Sequence, residues 1–314
     1  ILNAKKCGAD AVKLQTYKPD TITLKSNNKD FLINQTSPWK KNKTLWDLYK
    51  KAHTPWEWHQ ELFKFAKKNG IIIFSSPFDE SAVDLLQKLK CPAYKIASAE
   101  LNHLPLLEKI AKTKKPIFFS TGLSNLKQIK EAYKFLISKG AKKIIIMKCD
   151  TSYPSNLKDV NLKTLSDIKK RFNNLVGFSD HTKGSIASIT AAALGANVIE
   201  KHFKLKTQKS SVDDFFSLNE NDFKKMINKI RDLEKCLGKV SYNLSKNAKK
   251  NLNGKRSIYF SKNITKGSIL TKNNIKVVRP SYGLSPKYYK KILGMKVTKN
   301  FMFGDRVNLK FLKG

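Results

Sequence analysis

Two of the chain's five histidines, His181 and His202, occupy matching places. Each closes a short apolar run in an acid-containing group: LVGFSDH over residues 175–181 and NVIEKHF over residues 197–203. If the runs are neighbouring parallel strands, they lie about 4.8 Å apart, and residues level with one another at their tips can aim at one point. Two imidazoles, with the other positions left to water or substrate, suit a divalent metal acting as a Lewis acid; Mn²⁺, Mg²⁺ and Co²⁺ would all be accepted. Asp180 and Glu200 are expected to orient the imidazoles or to bind substrate. The alternative is two hydrogen-bonded histidines at the rim of a barrel.

A second chemistry is written beside the first. Lys13 and Lys95 stand inside otherwise apolar runs, AVKLQTY and AYKIASAE. A lysine there is costly unless it faces a polar mouth or finds a partner. Ser76, Ser98, Ser120, Thr121 and Ser179 add hydroxyl groups at the ends of similar runs. Together they suit a phosphate group, although each serine taken alone also fits a helix cap. The two lysines could instead form Schiff bases, as in a barrel aldolase, but that chemistry makes no use of the histidines.

The elements that must carry these groups alternate along the chain. Runs at 11–17, 71–78, 93–100, 116–122, 143–154, 175–181 and 197–203 are nearly continuous in apolar residues, as in parallel strands covered on both faces. Between them lie amphipathic segments. In one, Leu126, Ile129, Tyr133 and Leu136 recur at helical spacing, with Ser124 as the expected N-cap and Gly140 beyond the end. Ser217 and Glu220 read as a capping box opening a last helix that runs to about Cys236. Every strand carries its polar residues at its C-terminal end, where the active sites of (β/α)₈ TIM barrels lie. That favours a barrel over an open doubly wound sheet. Seven βα units are visible and the chain enters in mid-helix, so the first strand is expected upstream of Ile1. A polar stretch at 241–254 reads as a linker between the barrel, residues 1–240, and a small β domain, residues 255–314. The latter carries an internal echo, KNITKGSIL (262–270) and KNFMFGDRV (299–307).

Composition narrows the classes. There are 62 Lys and Arg against 24 Asp and Glu, a formal charge of +38. Only five of those cations are arginines, whereas base-reading surfaces favour arginine forks and single-strand binders interleave aromatics with a basic groove. Nucleic acid is therefore not the expected partner; a lysine-biased solvated surface that attracts anionic small molecules is. No apolar run is long enough to span a bilayer. Cys7, Cys91, Cys149 and Cys236 are widely spaced and read as buried reduced thiols of a cytoplasmic protein.

GADAVKLQTY, TPWEWH, FSSPFD, STGLS, CDTSYP, GFSDHTKG, ALGANVIEKHF and VVRPSYGL together resemble the sialic acid synthase family, most closely its pseudaminic acid branch. The resemblance covers nearly the whole chain. It implies a barrel joined to a small antifreeze-like (SAF) domain, and condensation of phosphoenolpyruvate with an N-acetylated amino sugar. It implies Mn²⁺ on His181 and His202. Lys13, Ser76, Lys95, Ser98, Ser120, Thr151 and Ser179 match residues near phosphoenolpyruvate, and Gln15, Tyr153 and Asp213 match the sugar side. Glu100 matches an acid at the barrel mouth. Arg279 matches an arginine that reaches the partner's site in a domain-exchanged homodimer. Ser211 to Asp213 resembles the pseudaminic branch more than the sialic one, and Phe215 and Phe216 either suit the methyl of a 6-deoxy sugar, the 2,4-diacetamido-2,4,6-trideoxy-altrose rather than N-acetylmannosamine or the legionaminic precursor, or pack the barrel rim. The family's first-strand glutamate has no counterpart in this chain. Outside the enzyme class, a carbohydrate- or nucleic-acid-binding module is the alternative.

Overall fold

The computed structural model describes residues 1–207 and 211–314. All seven expected runs form strands: β1 (Ala11–Thr16), β2 (Ile72–Pro77), β3 (Tyr94–Ile96), β4 (Ile117–Ser120), β5 (Ile144–Cys149), β6 (Val176–Asp180) and β7 (Val198–Lys201). They pair in sequence order and every pairing is parallel. The strands are shorter than the apolar runs because the polar tips leave the ladder; the run at 93–100 ends in a 3-10 turn over Ser98–Asn102.

The sheet is curled. Six spacings of a flat sheet would separate β1 from β7 by about 29 Å. Yet Lys13 of β1 lies 3.6 Å from Glu200 of β7, and Lys95 of β3 lies 2.7 Å from the same carboxylate. The seven strands thus wrap round a common interior with helices outside, the α/β barrel class expected from the alternation. Ile96, Ile117, Ile146 and Val176 of the strands are fully buried, as are Leu86, Leu106, Leu107, Ile110, Leu136 and Leu165 of the covering helices.

Two helix starts differ from expectation. Asn125, not Ser124, caps the helix Leu126–Ser138 and forms a reciprocal capping box with Gln128. Asn219 caps Glu220–Leu237 by accepting from the Asp222 N–H, while the Ser217 hydroxyl donates to the Asp213 carbonyl at 2.7 Å. In both cases the serine stands too far before the first turn to reach its N–H groups, and an asparagine one or two residues later takes the cap. The thiols also divide: Cys7, Cys91 and Cys149 are buried, but Cys236 is exposed near the end of an outer helix. No described helix is long and apolar enough to cross a membrane.

The chain forms two compact units, Ile1–Gly238 and Lys239–Gly314. The stretch read as a linker contains a short helix, Lys246–Lys250, nucleated by the Ser245 hydroxyl accepting from Ala248 N–H. In the second unit β8 (Ser257–Phe260) pairs antiparallel with β9 (Ile275–Val278), and β10 (Lys296–Val297) with β11 (Leu312–Lys313). The two echoed segments pair with each other. Ile264 and Phe301 exchange both backbone hydrogen bonds, at 2.7 and 2.8 Å. The Asn263 side chain accepts from Phe303 N–H and the Asn300 side chain accepts from Lys266 N–H, both at 2.7 Å. Gly267 and Gly304 end the two turns at the same φ of +86°, a conformation that favours glycine. The repeated K-N-x-x-x-G pattern is therefore a local two-fold device that closes a core of Ile258, Phe260, Leu270, Ile275, Ile292 and Val307.

Candidate active site

A cavity of about 680 Å³ opens among the C-terminal ends of the strands. β1 contributes Lys13 and Gln15 to its wall, and β3 with the turn after it contributes Lys95, Ser98 and Glu100. Ser120 closes β4, Thr151 and Tyr153 follow β5, and Ser179 with His181 ends β6. His202 and Asp213 complete the set. With Glu200 of β7, thirteen residues given a site role from the sequence therefore converge on one space. Ser76 does not line it: it is paired in register with Gln15 but is 1% exposed, and its hydroxyl has no partner. Arg279 is an exposed residue of the second unit, directly after β9.

Glu200 organises the basic side. Its carboxylate holds Lys95 at 2.7 Å and Lys13 at 3.6 Å, and accepts from the Ser179 hydroxyl at 3.1 Å. Burial alone would raise the pKa of this acid, but Lys13 and Lys95 outweigh it and keep the carboxyl well below the usual range. Burial pulls Lys95 below the ordinary lysine range; Glu200 opposes that and Lys13 adds to it. Two cations against one anion leave this wall of the cavity net positive, and the buried Ser120 hydroxyl is unpartnered within it. Ser98 accepts from Gly122 N–H at 3.0 Å. Gly122 allows no side chain, because a Cβ there would lie 2.6 Å from Thr151 Cγ2 and 3.0 Å from Ser98 Oγ. The wall has the chemistry of an anion site.

The histidines form the other half. Their ring centroids are 5.4 Å apart. His181 Nδ1 lies 2.7 Å from the Asp150 carbonyl, to which it donates, so Nε2 carries the free lone pair. His202 Nδ1 is 3.5 Å from Asp213 Oδ2. Phe216 packs against both rings, and the Tyr153 ring lies tilted against His181 at 4.5 Å. Burial lowers both imidazoles; His181 and Lys13 push His202 further, to about 3. The rings are neutral, which is the state a metal requires. Among the described residues no three His, Cys, Asp or Glu side chains gather in a metal-binding group. The donor set thus fits an open divalent site of two imidazoles, with water or substrate oxygens filling the rest.

Neither acid beside the histidines orients an imidazole. Glu200 binds lysines, not imidazoles. Asp180 points away from the cavity into a buried pair with Lys201 at 2.9 Å, because successive residues of a strand face opposite sides. Glu100, a further acid in the cavity, has a buried, unpartnered oxygen, and burial lifts its pKa to about 7. Trp39 is a wall residue that the sequence did not disclose. It comes from the long connection between β1 and β2, lies 5.3 Å from the Tyr153 ring, and donates from Nε1 to the Val212 carbonyl at 3.0 Å. Tyr17, Tyr49 and Phe78 extend this aromatic side.

The NeuB family model matches residues 1–242 and the SAF domain model residues 255–304. The chain is 44% identical over 305 residues to the pseudaminic acid synthase of Campylobacter jejuni, covering 97% of this chain and 88% of that protein. It is 38% identical over 302 residues to the N,N'-diacetyllegionaminic acid synthase of the same species, covering 95% and 90%. Among solved structures, the N-acetylneuraminic acid synthetase of Leptospira borgpetersenii in complex with citrate aligns with a TM-score of 0.69 at 25% identity, over 80% of this chain and 82% of that one. Sequence, barrel and cavity agree, and the chain belongs to the NeuB family, with a SAF domain following the barrel.

Proposed function

We propose that the protein is a pseudaminic acid synthase. It condenses phosphoenolpyruvate with 2,4-diacetamido-2,4,6-trideoxy-altrose and water, releasing pseudaminic acid and phosphate. One observation carries the reading: two lysines and two neutral imidazoles face the same cavity in a chain 44% identical to an enzyme of that name. Lys13, Lys95, Ser98, Ser120 and Ser179 hold the phosphate and carboxylate of phosphoenolpyruvate, and Thr151 lies beside them. Gln15, Tyr153, Asp213 and Trp39 hold the sugar.

His181 and His202 hold a divalent metal, Mn²⁺ in this reading, which when bound supplies electrophilic polarisation of the sugar aldehyde. C3 of phosphoenolpyruvate forms the new bond to the aldehyde carbon, and water adds at C2. The tetrahedral centre collapses by C–O cleavage to give the keto acid and phosphate. The cations at Lys13 and Lys95 stabilise the departing phosphate. Glu100, poised near neutrality, suits proton exchange with the new hydroxyl or the attacking water. We extend the reading to a cytoplasmic homodimer in which Arg279 of one protomer reaches its partner's cavity.

The test is phosphate release in the presence of phosphoenolpyruvate and Mn²⁺. The altrose sugar, its legionaminic counterpart and N-acetylmannosamine are offered in turn. Release with the altrose sugar, abolished by EDTA and by His181→Ala or His202→Ala, is expected. Release with another sugar alone moves the substrate, and full activity in either histidine variant removes the metal role.

A further inference from the structure

β6 and β7 carry three cross-strand pairs in succession. Ser179 pairs with Glu200 and Asp180 with Lys201 in the ladder, and His181 and His202 follow directly. The first pair faces the cavity, the second faces outward, and the histidines face the cavity again. The outward pair is where a covered parallel sheet would ordinarily hold apolar side chains. Instead it is an ion pair whose side chains are 1% and 0% exposed, an arrangement that stabilises a fold poorly compared with apolar packing.

Its contacts converge on one place. Lys201 Nζ binds Asp180 Oδ2 at 2.9 Å and also donates to the Thr182 carbonyl. Asp180 Oδ1 accepts from Thr182 N–H at 2.8 Å, and Oδ2 accepts from Ser188 Oγ at 2.5 Å. The residues on either side of His181 are therefore both fastened to the side chain that immediately precedes His202. A slip of one residue between the strands would strand both charges and turn one histidine out of the cavity.

We infer that the Asp180–Lys201 pair is a positioning clamp that sets the separation and aim of the two histidines for metal binding. Neither residue touches the cavity. The inference rests on the proposed metal role of His181 and His202, and it makes the clamp a determinant of metal affinity distinct from the ligands themselves. Outer partners of metal-binding side chains typically govern about 10- to 100-fold in affinity.

The test is Mn²⁺ titration by calorimetry, with phosphoenolpyruvate binding and melting temperature measured alongside. Asp180→Asn/Lys201→Met removes both charges, so neither is left unpaired. The expected result is a folded protein whose Mn²⁺ Kd is weaker by about tenfold or more, with phosphoenolpyruvate Kd near the wild-type value in metal-free buffer. An unchanged Mn²⁺ Kd in the folded variant overturns the clamp. Should the double variant not fold, Lys201→Arg keeps the charge but alters its reach, and the same criterion applies to it. His181→Ala is the control for the underlying reading. If Mn²⁺ binds that variant as it binds the wild type, the metal lies elsewhere and the clamp falls with the site; if His181→Ala loses Mn²⁺ while the clamp variants keep it, the clamp alone is wrong.

Discussion

Glu200→Gln isolates the electrostatics of the cavity. The substitution keeps the shape of the side chain but leaves Lys95, 3% exposed, and Lys13, 18% exposed, without their shared carboxylate. Stranding a buried charge costs about 3–5 kcal/mol. Lys95 has an escape, since it can lose its proton; from a reference pKa near 10.4, neutralisation at pH 7 costs about 4.6 kcal/mol, which caps the penalty. At about 2 cal/mol/K of unfolding entropy per residue, a unit the size of Ile1–Gly238 loses about 2 °C per kcal/mol. The variant should melt about 6–9 °C below the wild type at pH 7.

Inorganic phosphate supplies the other half of the assay. In the variant it replaces the missing anion, so saturating phosphate should close most of the gap while raising the wild type less. The sign with pH follows from the depressed pKa of Glu200. Its contribution is complete above the unfolded value of 4.5 and fades as pH falls below it, so the gap should narrow in melts taken from pH 5 to pH 3. Equal melting temperatures at pH 7 would show that the carboxylate does not hold the lysines. Equal phosphate shifts in both proteins would show that the anion does not sit on them.

Glu100 carries the opposite sign. Burial raises its pKa from 4.5 to about 7, so it favours the folded state below pH 4.5 relative to higher pH, and that advantage is lost as pH rises through 7. Glu100→Gln should therefore gain on the wild type between pH 5 and pH 8, by about 3 kcal/mol in a denaturant melt; a constant difference would exclude a shifted carboxyl. Gly267→Ala and Gly304→Ala meet no atom within 4 Å of the new Cβ, so each cost is backbone strain alone, about 1–2 kcal/mol, read as earlier melting of the Lys239–Gly314 unit. A neutral result would mean the turns relax. In thiol labelling of the native protein one cysteine, Cys236, should react rapidly, and Cys236→Ser should abolish that phase.

Much of this molecule is legible because its signals are periodic. Seven apolar runs became seven strands, and the paired K-N-x-x-x-G segments became paired turns. Thirteen candidate site residues met because barrel strands deliver their C-terminal tips to one mouth. The misread features depended on single positions. Ser124 and Ser217 lost the caps to asparagines placed where a side chain reaches the first turn. Trp39 stands in a long connection with no period, and nothing in its neighbours says that it folds over the mouth. The roles of Asp180 and Glu200 were readable by parity: residues 180 and 181 of one strand cannot share a face, whereas 200 and 202 must.

That parity explains the charge states of the site. One space contains two lysines and two histidines, and desolvation disfavours the charged form of Lys95 and of both imidazoles. The lysines have a carboxylate between them, since Glu200 faces inward from β7. The histidines have none of comparable strength. Asp180 is turned outward and engaged by Lys201, and Asp213, 3.5 Å from His202, is itself pushed up by burial. The same low-dielectric cavity therefore keeps a cationic pair for an anion and leaves the adjoining imidazoles neutral, with lone pairs free. A slip of one residue by either strand would turn its histidine out of the cavity and bring Asp180 or Lys201 in, so the pair of neutral imidazoles would be lost.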